Sequence, residues 1–241
     1  MNSQACGGIS VKISDLKKRA EARESGVARD ILIWGGLRKV KDSSITGNLV
    51  ADLIDTPKEN ARVRVATSFG RSVLKDSRLA SWTKILAMRY PKDFFIFDSR
   101  VSNALNKLLC SSSLNGKLAE AGVRCFFPSL PAQSTTGMLA AEQKANIDAL
   151  KGKEKHMKPF SDCAVLYFDL YCPLIKKLAR RLYEDPEVNT VPLEEVFRPY
   201  LVGLDENFRK ETLPHLVEMA LFMYGKPEGK SCGCQRKVNP D

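Results

Sequence analysis

A carboxylate at the end of an aromatic run is the group in this chain best placed to do chemistry. The stretch FFIFDSRVSNALNKLL, residues 94–109, carries four apolar residues, Phe94 to Phe97, directly into Asp98. A helical pattern starts at once: Val101, Ala104, Leu105, Leu108 and Leu109 recur at i, i+3, i+4, i+7 and i+8, which predicts a helix over Ser99–Leu109 packed along one face. Two readings of Asp98 compete. As an N-cap it accepts bonds from amides that the first helical turn leaves unsatisfied. As a reactive acid it occupies a partly apolar setting, where a fixed negative charge is poorly screened and stabilises positive charge developing nearby. The roles are compatible, because a capping carboxylate can engage one oxygen and present the other.

Other chemistries find less material. With only His156 and His215 in the chain, neither a catalytic metal centre nor a Ser-His-Asp triad is expected, and no metal is assigned. The seven cysteines (Cys6, Cys110, Cys125, Cys163, Cys172, Cys232 and Cys234) are odd in number and scattered, without a disulfide framework. Cys232-Gly-Cys234 has no partner pair for zinc. No apolar run approaches a bilayer span and no signal-peptide core is evident, so the expectation is a cytoplasmic protein with reduced thiols and no membrane partner.

Charge supplies the second signal. The 241 residues carry 38 Lys/Arg against 28 Asp/Glu, a net charge of +10. The excess is lopsided: residues 1–120 hold 21 basic against 12 acidic residues, residues 121–241 hold 17 against 16, and 58–107 hold 11 against 4. A basic half of this kind is the electrostatic footprint of a protein that meets phosphate backbones; the competing reading is a solvated basic face.

Helical periodicity dominates the elements that must position these groups. Residues 11–41 read as one or two helices, followed by helices from Ser43-Ser44 to about Ile54, over 59–75, and from Arg78 to about Tyr90 behind an Asp76-Ser77 cap. Beyond Asp98, a turn at 111–116 and an irregular connection at 125–137 lead to an Ala-rich helix at 138–151 and an exposed basic loop at 151–159. Ser161 or Asp162 caps a long helix over about 162–184, kinked at Pro173, and two more helices follow near 192–202 and 211–225. No convincing strand pattern is present. The expected fold is all-α: a single globular domain over 1–225 and a polar, disordered tail over 226–241.

Within that frame DSRLASWTKILAMRYPKDFFIFDSRVSNALNKLL, Asp76 to Leu109, reads as helix, Pro-marked turn, apolar approach, acid and helix. It resembles the helix-hairpin-helix superfamily of DNA glycosylases, and SWTKILAMRYPKDFFIFDSRV is similar to the alkylation-repair branch. The resemblance covers some 35 residues well and the all-α context loosely. It implies about ten helices in two lobes around a cleft, with about 44–125 carrying the catalytic and DNA-binding elements and 1–43 plus 126–225 forming the other lobe. It also implies that Asp98 faces the cleft and that Trp82 stands where bifunctional members carry their Schiff-base lysine. The family's glycine-containing hairpin is missing from LKDSRLAS, residues 74–81, and the Trp-to-Asp interval is shorter than usual. Phosphate contact then falls to the amides at 77–80, helped by Lys75 and Arg78.

The resulting expectation is a monofunctional DNA glycosylase that hydrolyses the N-glycosidic bond of a damaged or modified base flipped out of double-stranded DNA. Asp98 is the catalytic residue, and Trp82, Lys84 and Asn103 are candidates for the base pocket. Arg71, Lys75, Ser77, Arg78, Arg100 and Lys107 are candidates for phosphate binding. No cofactor is implied, and the protein is expected to act as a monomer, associated with the nucleoid if bacterial, in base-excision repair or in defence against modified phage DNA. Core packing is the rival reading for Trp82, as it is for the cluster of Tyr167, Phe168 and Tyr171. If Lys84 faces the pocket instead, Schiff-base chemistry opens. Two non-enzymatic alternatives stand beside these: a basic helical DNA- or RNA-binding protein, and a helical adaptor whose basic half docks on an acidic protein.

Overall fold

Two left-handed residues, Arg23 (φ 55°) and Gly26 (φ 82°), split the first helical region in two. The result is α1 (13–21) and α2 (Val27–Trp34). The computed structural model describes residues 13–35, 49–69, 78–110, 125–128, 136–153, 158–160, 162–184 and 206–226. The helix expected at 192–202 and the tail beyond 226 lie outside them.

The described residues are mostly helical. Helix α3 (Leu49–Asp55) ends before Pro57, and Thr56 closes it by returning both its amide and its hydroxyl to the Asp52 carbonyl, at 3.0 and 2.8 Å. Helix α4 (Lys58–Phe69) buries Ala61 and Val65, four residues apart, and exposes most of its described remainder. Helix α5 (Leu79–Arg89) buries Leu79, Trp82, Thr83, Ile85, Leu86, Ala87 and Met88, so nearly its whole circumference is core. It stops where the turn before Pro91 begins, as the sequence predicts. Helix α6 (Ser99–Cys110) begins directly after Asp98, and the Ala-rich segment forms α7 (Thr136–Lys153). The expected irregular connection and basic loop contain one short pairing: β1 (Cys125–Phe126) lies parallel to β2 (Lys158–Pro159), two residues on each side.

The long helix expected over 162–184 is built differently. Asp162 does cap it, its Oδ1 accepting the Ala164 and Val165 amides at 2.9 and 3.0 Å. Val165–Tyr171 then forms a π-helix, and α8 (Cys172–Glu184) follows. Pro173 is the second residue of α8, directly behind the π-helix, where a wide turn leaves room for a ring that regular winding would press against the carbonyl four residues back. Helix α9 (Glu206–Tyr224) starts five residues earlier than its sequence pattern suggests and contains Pro214.

One continuous apolar core runs from Leu16 in α1 to Leu221 in α9. Helix α5 packs on α2 and α3, while α6 packs on α7 and α9, and α9 on α8. Among the described residues no helix is long and apolar enough to cross a membrane. At the centre lie Trp82, Tyr167, Tyr171, Phe95 and Phe97, all with less than 2% of their surface exposed.

Candidate active site

The chain from α5 to α6 crosses this core over Phe94 to Asp98, in neither helix nor strand and without a partner strand among the described residues. Buried backbone amides and carbonyls are costly to leave unpaired. Here side chains from other helices pair them. Tyr167 donates its hydroxyl to the Phe95 carbonyl at 2.7 Å, and Tyr171 donates to the Ile96 carbonyl at 2.7 Å. The Ile96 amide donates to Glu218 Oε1 at 3.0 Å. Thr83 serves Phe97 twice, accepting its amide at 3.2 Å and donating to its carbonyl at 3.3 Å. Both tyrosines are sealed from water, and burial, with nearby Glu218 adding to it, pushes their hydroxyls well above the usual range. They are therefore neutral donors at physiological pH.

Asp98 emerges from this frame half-buried. Its Oδ1 accepts the Arg100 amide at 2.9 Å and the Val101 amide at 3.1 Å, so the predicted cap is present. Among the described residues, Oδ2 accepts no hydrogen bond. Lys84 lies within electrostatic reach. Its stem passes over Gly35 at the end of α2, and Nζ donates to the Gly35 carbonyl at 2.7 Å. Burial lowers the Lys84 ammonium from its ordinary range, and the Asp98 charge acts against that shift. The site thus combines a rigidly held carboxylate, one uncommitted oxygen and a desolvated amine.

Several residues expected in the site are placed elsewhere. Trp82 has none of its surface exposed; it meets Tyr167 edge-on at 4.8 Å and stacks on Phe168 at 5.9 Å. It is core, not pocket wall. Tyr167 and Tyr171 are likewise core, in line with the packing alternative. Asn103 is sealed as well. Its Nδ2 donates to the Gly225 carbonyl at 3.2 Å and to Glu142 at 3.1 Å, and its Oδ1 accepts from Asn146 at 2.9 Å. With its polar atoms committed to α7 and the end of α9, it cannot read a base.

The proposed phosphate ligands also divide. Lys107 pairs with Glu142, lies over the Tyr224 ring and keeps only 12% of its side chain exposed, which removes it as an outward-facing contact. Arg100 is half-buried with its guanidinium 4.5 Å over Phe222. Arg78 is exposed and takes the left-handed conformation (φ 49°, ψ 34°) at the N-cap of α5. This is a backbone state that glycine adopts far more readily than arginine. Arg71, Lys75 and Ser77 lie outside the described residues, as does the Asp76-Ser77 cap.

Much of the basic stretch is answered internally. Lys58 and Lys176 both bind Asp93, at 2.8 and 3.1 Å; Arg62 binds Asp169 through two nitrogens, at 2.6 and 3.1 Å; and Arg64 pairs with Asp52. Arg89 donates to the Ile54 carbonyl at 3.3 Å and covers the Tyr90 ring. Asp52 and Asp169 lie outside 58–107, so a count over that stretch overstates the field around α4.

Three residues central to the frame escaped the sequence reading: Thr83, Glu218 and the hydroxyl role of Tyr171. The spacing of Tyr167 and Tyr171, four apart beside an aromatic run, was the one signal available. Among the described residues no cluster of three His, Cys, Asp or Glu is arranged to hold a metal ion. Comparison with known proteins gave no match to any family model, curated sequence or solved structure.

Proposed function

We propose that this chain is a monofunctional DNA glycosylase of helix-hairpin-helix character, acting on a modified or damaged base in duplex DNA, with Asp98 as its catalytic carboxylate. One observation carries the reading: Asp98 is fixed through Oδ1 by two helix amides while Oδ2 remains uncommitted among the described residues. Breaking an N-glycosidic bond builds positive charge on the sugar, and a carboxylate locked in place stabilises that charge without reorganising. The same oxygen can orient or deprotonate the attacking water. The two-lobed architecture with a cleft at Asp98 belongs to this proposal, as do the monomeric state and the cytoplasmic setting.

In this reading Lys84 is an electrostatic neighbour and not a nucleophile, because its Nζ is engaged with the Gly35 carbonyl. Borohydride treatment during turnover is then expected to trap no protein–DNA adduct. A trapped adduct lost in Lys84→Met would reassign the enzyme as bifunctional. DNA contact is left to Arg78 and the segment before it, with Arg100 at the start of α6.

The decisive measurement uses duplex oligonucleotides carrying a panel of damaged and modified bases, with abasic sites revealed by alkaline cleavage. Asparagine caps a helix about as well as aspartate, so Asp98→Asn removes the charge while keeping the fold. The expected result is unchanged melting and binding with a rate at least ~100-fold lower. Full activity in a folded Asp98→Asn variant would refute the assignment. The rival, a non-enzymatic basic DNA- or RNA-binding protein, draws on the capping bonds, which by themselves give Asp98 a structural role. It predicts salt-dependent binding that no base modification improves, and no strand product.

A further inference from the structure

The segment that delivers Asp98 belongs to no helix or strand, and its backbone is held by side chains from separate elements. Ile96, two residues before the acid, is gripped on both polar groups: its amide by Glu218 of α9 and its carbonyl by Tyr171 of the π-helix, at 3.0 and 2.7 Å. We propose that Tyr171 and Glu218 form a clamp on Ile96 that sets the aim of the Asp98 carboxylate, and that both act as positioning residues for base release. This inference rests on the glycosylase reading above.

Three observations support it. First, the clamp is the point where the site depends on α9: Thr83 ties Phe97 to α5 and Tyr167 ties Phe95 to the π-helix, and Glu218 supplies the hydrogen bond from α9 to this segment. Second, Glu218 is itself held. Its side chain is 13% exposed, and its Oε2 lies 3.4 Å from His215 Nδ1. His215 in turn sets its ring edge against Phe95, centroids 5.5 Å apart. Third, the other ionisable groups bearing on the clamp are Lys17 of α1, whose ammonium attracts the Glu218 carboxylate, together with Tyr167, Cys172 and Asp98. A carboxylate supported in this way transmits a shift of α9 directly to the residue two positions before the acid. Displacements of about 1 Å at a reacting group cost on the order of a hundredfold in rate.

The test measures single-turnover base release, duplex affinity and amide hydrogen exchange at Ile96 in the full chain. The variants are Tyr171→Phe, Glu218→Ala and Glu218→Gln. Tyr171→Phe removes one oxygen and Glu218→Ala removes one acceptor. Each is expected to lower the release rate about ten- to a hundredfold, with duplex Kd unchanged. Ile96 exchange should accelerate in Glu218→Ala. Glu218→Gln should recover most of the lost rate, because the carboxamide oxygen still accepts the Ile96 amide. If Glu218→Ala does not fold, Tyr171→Phe still decides the matter, because it removes the other half of the clamp. Wild-type release rates in folded Tyr171→Phe and Glu218→Ala variants would overturn the clamp and leave the glycosylase assignment intact. So would rate losses that only follow weakened duplex binding. A wild-type chain that releases no base from any duplex would overturn the assignment itself, and the clamp's role with it.

Discussion

Helix α6 has two polar surroundings, one at its start and one along its side, and they differ in what they leave exposed. At the start, hydroxyls and a carboxylate from other helices satisfy the backbone of 95–97, and Asp98 emerges half-buried with one oxygen uncommitted among the described residues. Along the side, Ser99, Ser102, Asn103 and Asn106 form a stripe at helical spacing that is wholly sealed. Ser102 donates to the Pro128 carbonyl, and Gln143 donates to the Ser99 carbonyl at 2.8 Å. Asn106 grips Phe127 on both sides, donating to its carbonyl at 3.0 Å and accepting its amide at 2.9 Å. The lesson concerns Asn103: proximity along the chain to Asp98 does not make a polar residue part of the candidate site. Its partners are the Glu142 carboxylate, the Gly225 carbonyl and the Asn146 amide, and a network of this kind fixes helix register with the polar atoms of Asn103 already taken.

The comparison can be broken most forcefully at Trp82. If the aromatic frame is core, Trp82→Ala should cost about 3–5 kcal/mol in urea denaturation; a loss below about 1 kcal/mol accompanied by altered base selectivity would return Trp82 to the pocket. On the sealed side, a Cβ placed on Gly225 would stand 1.8 Å from the Arg100 carbonyl oxygen, which is backbone and cannot move aside cheaply. Gly225→Ala should therefore cost about 3 kcal/mol and separate α9 from α6. Asn106→Ala strands both polar groups of Phe127 and should cost about 2 kcal/mol, with the proposed base release untouched in the folded fraction. A smaller effect is expected at Asp98, where Ala removes the cap at about 1 kcal/mol and Asn costs only a few tenths. Equal destabilisation by both would mean that the charge itself holds the fold.

The smallest effect is in the alkaline limb of stability. Burial lowers the folded-state pKa of Lys84, and of Lys17, below the ordinary 10.5, so between that lowered value and 10.5 the unfolded chain binds more protons. Stability should climb as pH rises through this window. Tyr167 and Tyr171 carry the opposite sign: their folded pKa values lie above the ordinary 10.0, so stability falls once unfolded tyrosines ionise. Cys163 and Cys172 share that sign, their folded thiols pushed up by burial to about 11 and about 12, so they offset the lysine gain from the ordinary 9.0 upward. The lysine contribution is isolated by comparison: wild type should gain in urea midpoint on Lys84→Met as pH climbs from about 8 to about 10.5. A difference that stays constant over that range would mean that Lys84 is solvated and no part of the buried frame.

The apolar side of this architecture was legible in the sequence because periodicity reports one helix at a time. Val101, Ala104 and Leu105 mark the buried face of α6, and the step from Phe97 to Asp98 marks its cap. The polar side was not legible, because each answer lies far along the chain. Asn103 meets Gly225, Ile96 meets Glu218, and Arg62 meets Asp169, at separations of 122, 122 and 107 residues. Ser102, Asn103 and Asn106 have the composition of a solvent face, and only their distant partners turn that stripe inward. The same blindness made the basic stretch look more exposed in charge than it is. It also placed Trp82 and Lys84 in direct competition for one pocket, when the first is core and the second lies across the end of α2.

The π-helix at Val165–Tyr171 has a consequence for how this segment tolerates change. Its widened turn accommodates a residue that a regular helix would not, and the Cys172 amide reaches back to the Tyr167 carbonyl to close it. Because the wide turn absorbs that residue, removing one residue between Tyr167 and Tyr171 would let ordinary winding resume with the Asp162 cap and α8 still facing as they do. A single-codon deletion here should therefore be tolerated better than one inside α8, which would turn everything upstream by about 100°.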